Sequence, residues 1–285
     1  MNPRPSGYAY TTPAIALIAL FLLIPSLYGF YYSLFDIKYL QPTNFIGFDN
    51  YFFLLRDPAL AGVLWRSAIF AAVAVTLTVA LSLTISLWLN TLTGWFALLV
   101  QIVVILPWVI SHVVGALLFR WVFVNDIGIG LYLLERIGIS TFSPLTSPTA
   151  AMAVLVAYAC WRTLGFTVIM LLAGLKAIPD DYYEAAQIDG ANGWQQFRRI
   201  TLPLLNTVLL ITVVILTLSN LNTVEAPLIV TGGGPADATN IVPYDLYVRA
   251  FTNYDFNSAI ALGTGMFIAN ILLTLAYVRL VKWNA

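Results

Sequence analysis

Charge is what this sequence has least of. Of 285 residues only 26 are charged, 13 of each sign, where a soluble domain of this length would carry about 71. So few charges cannot clothe a water-facing surface, and their balance leaves no footprint for a polyanion. Soluble enzymes, nucleic-acid binders and disordered chains are thereby excluded. Cysteine and histidine are nearly absent as well. Cys160 alone cannot close an internal disulfide, and with the single His112 it cannot build a metal site. None of Lys38, Lys176 and Lys282 follows a glycine, so there is no G-x-x-x-x-G-K-[ST] loop to grip a nucleotide. H-E-x-x-H and G-x-S-x-G are missing too. No catalytic residue, metal ligand or cofactor-binding residue is therefore expected in this chain.

What the sequence does have is apolar length. Apolar and aromatic residues make up 60% of it, and from Ser67 to Phe119 there are 53 consecutive residues without a charge. One crossing of a bilayer takes about 20 residues, so that run holds two. Six segments pass the length test: 13–35, 67–90, 97–119, 149–175, 204–224 and 258–278. They must be helices, because unpaired backbone groups are too costly in lipid, and they lack the alternation of barrel strands. The first runs uncharged from Pro5 to Phe35, too long for a signal h-region, and reads as a retained span. The expectation is an all-α, multi-pass membrane protein of about six transmembrane helices in one domain, residues 1–285. About six residues around Thr91–Gly94 link the second and third spans, which predicts a tight antiparallel hairpin. The remaining loops are 36–66, 120–148, 176–203 and 225–257. Lys/Arg counts do not orient the chain, since each side would carry six.

The loop 176–203 has structure of its own. Asp181 with Glu184 three residues later has the form of an N-cap and its capping-box partner. Tyr182, Ala185, Ile188 and Ala191 recur on one helical side. Gly190 and Gly193 can stop one helix and start another. The second, Trp194–Ile200, would end before Leu202-Pro203 opens the next span. The segment therefore reads as a helix–turn–helix exposing small and aromatic residues. It would be either an amphipathic helix on the membrane surface or a protruding knob for another protein. Gly190 is expected at a turn with little room for a Cβ.

With Glu184-Ala185-Ala186, Asp189-Gly190-Ala191, Phe197, Ile200 and Leu202-Pro203, this loop resembles the EAA loop of permease subunits in binding-protein-dependent ABC importers. Phe45–Tyr51, Leu106-Pro107-Trp108, Ala173–Pro179, Thr231–Pro235 and Thr239 are similar to the carbohydrate branch, and to the first of the two permeases in maltose- and glycerol-phosphate-type systems. The likeness runs from about Tyr8 to the C-terminus; His112 departs from it, standing where a proline or small residue is more usual. The resemblance implies a pore-forming subunit that moves a sugar or sugar derivative by alternating access. Its partners would be a second permease in a heterodimer, two copies of a cytoplasmic ATPase and an external solute-binding protein. ATP and Mg would be bound in the ATPase. It places the chain in a bacterial or archaeal inner membrane with both termini and the 176–203 loop cytoplasmic. Glu184, Ala185, Ala186, Asp189, Gly190, Ala191 and Phe197 would meet the ATPase, and Gly232, Gly233, Gly234 and Pro235 the binding protein. By family position Arg162, Thr163 and Phe166, with Asn220, Asn222 and Thr223, would line the substrate pathway. Two rival readings are an ion-coupled secondary transporter and a non-transporting assembly protein.

Arg162 is the one Lys, Arg, Asp or Glu in the central part of any expected span. An arginine at mid-span costs about 2.5–3.5 kcal/mol on insertion scales. Water in a cavity, a salt bridge to Glu225 or to an acid of a partner subunit, or an anionic substrate could each compensate it.

Overall fold

The computed structural model describes residues 8–124, 128–136 and 143–280. The chain divides into two compact units, residues 1–61 with 246–270, and residues 62–245 with 271–285. Among the described residues five helices are long and apolar enough to cross a membrane, six if one sharply bent pair counts as a single span. The expected all-α architecture is present, and among the described residues one two-stranded hairpin is added to it.

In the first unit, α1 (Tyr8–Ile18) and α2 (Ile24–Tyr32) are joined by a wide π turn at Ala19–Leu23. The hairpin follows: β1 (Phe35–Lys38) runs antiparallel to β2 (Gln41–Phe45), with Ile37 opposite Pro42. The first span therefore ends three residues before its expected limit. Within the expected loop 36–66 also lie α3 (Asp49–Arg56) and the beginning of α4 (Pro58–Asn90). Buried Asn50 donates to the carbonyls of Ser33 (2.8 Å) and Phe35 (2.9 Å), and so fastens α3 beneath the hairpin. Asn257 also grips the hairpin, accepting from Ile37 N (2.7 Å) and donating to Asp36 (2.9 Å). Asp57 forms an ion pair with Arg249.

The second unit is built around α8 (Pro148–Lys176), which has more of its length buried than any other span. Against it pack α5 (Gly94–Val109), α6 (His112–Phe123) and α11 (Leu202–Asn222). Phe70, Leu155, Tyr158, Val230 and Ile241 form one cluster of its core; Leu171, Leu175 and Leu205 form another. Three residues, 91–93, join α4 to α5, but α5 packs chiefly against α8 rather than pairing tightly with α4 as a hairpin would. The short α7 (Ile129–Arg136) follows α6, and the expected loop 120–148 lies partly outside the described residues. α12 (Val242–Tyr247), α13 (Phe256–Leu280) and π turns at Pro227–Thr231 and Val248–Thr252 complete the chain.

The third span departs most from expectation. It is two helices, α5 and α6, meeting at 98°. Pro107 inside α5 has no N–H to give to the preceding turn. Three residues later Ile110 and Ser111 are extended, with ψ near 140° (141° and 140°). An unbroken helix over 97–119 is therefore excluded.

Candidate functional site

In the loop 176–203, α9 (Asp181–Ile188) is capped by the carbonyl of Asp180, which takes the N–H of Tyr183 (2.8 Å) and Glu184 (3.0 Å). Asp181 is thus the first helical residue and not the N-cap, and no side chain caps this end. The capping box lies eleven residues on. Asn192 Oδ1 accepts from Gln195 N (2.9 Å) while Gln195 Oε1 accepts from Asn192 N (2.8 Å), opening α10 (Gly193–Gln196). Between the two, Ala191 N donates to Ala186 O (2.9 Å) and Gly190 N to Gln187 O (3.0 Å). These are the paired bonds of a Schellman stop, which needs a left-handed residue just past the helix. Gly190 supplies it with φ +76°, and a Cβ there would meet nothing within 4 Å. Room is not the constraint expected at this turn; backbone conformation is.

The second helix of the loop is not separate. From Gly193 the helix continues through a π turn, Phe197–Thr201, into α11, giving one helix over Gly193–Asn222. Pro203 cannot donate to the turn before it, and the widened turn, with Leu202 N bonded to Phe197 O, carries the chain past that missing bond. Glu184, Ala185, Asp189 and Gly190 are exposed, and Ala186, Ala191 and Phe197 are half-buried, with Phe197 stacked on Trp194 at 5.5 Å. The root of the knob is fixed. Tyr183 packs with Leu171, Leu175, Ile178 and Leu205, and its hydroxyl bonds Thr201 at 3.0 Å. Sequence reasoning missed the Tyr183–Thr201 tie and the Asn192–Gln195 box, although the N-x-x-Q spacing of the box was readable.

The expected pathway residues lie on α8 and at the end of α11. Arg162 is buried, 9% exposed, and its Nη1 donates to the carbonyls of Pro107 (2.7 Å) and Trp108. Among the described residues no carboxylate lies in ion-pair range of it, so the Glu225 pair considered above does not form. Phe166 stacks on Trp108 at 5.3 Å, and half-buried Thr163 bonds back to Ala159 O (2.8 Å). Where α5 crosses α8 the backbones touch: a Cβ on Gly165 would strike the Val104 carbonyl oxygen and stand 2.7 Å from Ile105 Cα. His112 opens α6, and its carbonyl accepts from the Tyr158 hydroxyl (3.0 Å). Asn220 is buried and Asn222 exposed; each amide donates to the carbonyl one turn earlier. Half-buried Thr223 ends the helix in an extended conformation.

The glycine-rich segment is held firmly. Gly232 and Gly233 adopt φ +63° and +78°, and a Cβ on Gly233 would run into the Tyr244 ring. Tyr244 OH donates to Gly232 O (2.9 Å), and buried Thr239 reaches Gly234 O (2.8 Å) and the Thr231 hydroxyl (2.7 Å). Arg120 holds Ile229 O (3.0 Å), Arg66 holds Asn240 O (3.0 Å), and Val242 N donates to Ser67 Oγ (2.8 Å). Gly232 remains exposed, while Gly234 and Pro235 are half-buried.

Comparison with known proteins places these features in context. Residues 79–285 match a family model described as binding-protein-dependent transport system inner membrane component. The trehalose/maltose transport system permease protein MalF of Thermococcus litoralis is 30% identical over 282 residues, covering 98% of this chain and 94% of that one. The sulfoquinovosyl glycerol transport system permease protein SmoG of Agrobacterium fabrum is 29% identical over 272 residues, covering 95% and 88%. A chain of the bacterial alginate ABC transporter, in complex with an alginate pentasaccharide-bound periplasmic protein, superposes with TM-score 0.83 at 22% identity over 96% of this chain and 93% of that one. That last likeness is one of fold.

Proposed function

This chain belongs to the family of binding-protein-dependent transport system inner membrane components, and from that premise we propose the assembly in which it works. The chain is a pore-forming membrane permease of an importer and not itself a catalyst. Our reading is that it carries a sugar or sugar derivative, as the names of the relatives from Thermococcus litoralis and Agrobacterium fabrum suggest. It pairs with a second permease, and the substrate passes by alternating access along a path that includes Thr163, Phe166, Asn220, Asn222 and Thr223. An external solute-binding protein docks on exposed Gly232 and half-buried Gly234 and Pro235, while Gly233, buried against Tyr244, shapes the turn. Two cytoplasmic ATPase subunits bind ATP and Mg and grip the knob through Glu184, Ala185, Ala186, Asp189, Gly190, Ala191 and Phe197. Both termini then lie in the cytoplasm.

The observation that carries this reading is the knob itself. Its tip is exposed while its root, Tyr183, sits among core residues of α8 and α11. A lone surface helix would turn its apolar side chains to lipid and need no such root. A part that transmits movement from a partner into the spans needs one, and an ion-coupled transporter has no such partner. The test is co-purification from membranes combined with labelling of Asn192→Cys in a Cys160→Ala background. The expected result is an ATPase and a second permease in the complex, with the thiol labelled by an impermeant reagent only from the cytoplasmic side. Labelling from outside, or a complex without an ATPase, would overturn the proposal.

A further inference from the structure

The corner between α5 and α6 combines two groups that are each costly in a membrane. A helix that stops inside the hydrocarbon leaves its last carbonyls unpaired and a partial negative charge at that end. An arginine at the same depth carries a full positive charge. Here each compensates the other: Ile110 N reaches back only to Leu106 O, and the next two carbonyls, Pro107 and Trp108, are taken by Arg162. The rest of α8 supports the same corner. Gly165 allows α5 to touch, Phe166 stacks on Trp108, and Tyr158 holds the first carbonyl of α6.

We propose that Arg162 is a positioning residue that latches the α5–α6 corner, and that this corner is a hinge of the transport cycle; the proposal rests on the permease reading above. Nη1 of the guanidinium serves main chain, and in this role Arg162 acts on the corner rather than as a ligand for the substrate. One detail separates a latch from a permanent brace. Nε of Arg162 is buried and has no hydrogen-bond partner among the described residues. Buried donors in static structure are nearly always satisfied. A buried donor left over in this way is free to take a second partner if the corner moves. Opening the corner in the opposite access state gives that donor its turn, while Nη1 releases the carbonyls.

The experiment uses the whole importer reconstituted in vesicles, with Arg162→Met, Arg162→Gln and Arg162→Lys in this chain. A latch acts on the conformational step. Maximal uptake should then fall about tenfold in the Met variant, with half-saturation by loaded binding protein held within about twofold. Lys, which keeps the charge and can still donate to the carbonyls, should recover much of the rate. Spin labels at exposed Val103 and Leu117, in a Cys160→Ala background, should give a narrow distance distribution in the parent and a broad one in the Met variant. A half-saturation raised tenfold at unchanged maximal rate would make Arg162 a substrate ligand and overturn the latch. So would an unchanged rate with an unchanged distance distribution. If the Met variant fails to insert, the same two readouts on the Gln and Lys variants decide. A parent complex that moves nothing would instead mark failure of the permease reading.

Discussion

Gly190 and Asp57 illustrate how single residues set testable properties. At Gly190 the left-handed backbone is the constraint, since there is open space around it. An L side chain in that region costs about 1–2 kcal/mol, and asparagine less than others. Gly190→Ala should therefore loosen the stop of α9 and reduce transport-coupled ATP hydrolysis, whereas Gly190→Asn should retain most of it. Equal loss in both would show that the tip itself needs a bare surface. Asp57 belongs to a different test. The Arg249 guanidinium, and after it the Ala59 N–H, hold its carboxyl below the ordinary 3.8. A carboxylate lowered on folding adds stability that is fully present above the unfolded value and lost as pH falls through the folded one. Melting of the detergent-solubilised protein should then ignore this pair from about pH 5 upward and weaken below about pH 4. Asp57→Asn should cost about 1 kcal/mol at neutral pH, the pair being partly exposed, and should flatten that acid limb. The residue types at both places were readable in the sequence. The conformation at 190 and the partner at 249, 192 residues away, were not, because one depends on a backbone angle and the other on tertiary approach.

At the scale of elements, composition announced the spans and left their interiors undescribed. Apolar runs and end residues located α8, α11 and α13 to within about two residues at each end, whereas α4 begins nine residues before the expected span. They could not foretell that 97–119 is broken, since extended backbone at Ile110 and Ser111 is tolerable in lipid only when a distant side chain takes the freed carbonyls. The proline was visible and its rescuer was not recognised. Likewise Pro203 suggested a fresh helix, and the π turn at Phe197–Thr201 carried one helix through instead. The α5–α8 crossing offers a direct check of how tightly these elements fit. Gly165→Ala places a methyl against the Val104 carbonyl and Ile105, and overpacking of this kind costs about 1–3 kcal/mol. A lowered melting temperature is expected, with the knob still folded as judged by protection of the loop 181–196 from protease. An unchanged melting temperature would mean that α5 can slide freely on α8.

For the whole molecule, what matters is how the spans are seated in the bilayer. α4 has 33 residues, about 50 Å of helix against a hydrocarbon core of about 30 Å. Its charge-free stretch begins at Ser67, the residue whose hydroxyl receives Val242 N, and Arg66 just above it holds Asn240 O. The chain just after the glycine-rich segment is thus pinned to α4 where its charge-free stretch begins, and on the permease reading we expect that level to lie near the lipid headgroups. On the docking proposed above for residues 232–235, acyl-chain length should then act on that contact. A thick bilayer should raise the headgroups around the segment and shield it from the binding protein, and a thin one should lift it clear while straining the spans. Uptake measured in vesicles of graded chain length should pass through an optimum, with the affinity for the binding protein falling on the thick side. A flat profile would detach the docking height from the membrane. On the proposed docking at 232–235, the same two hydrogen bonds should tie the binding-protein contact to bilayer thickness.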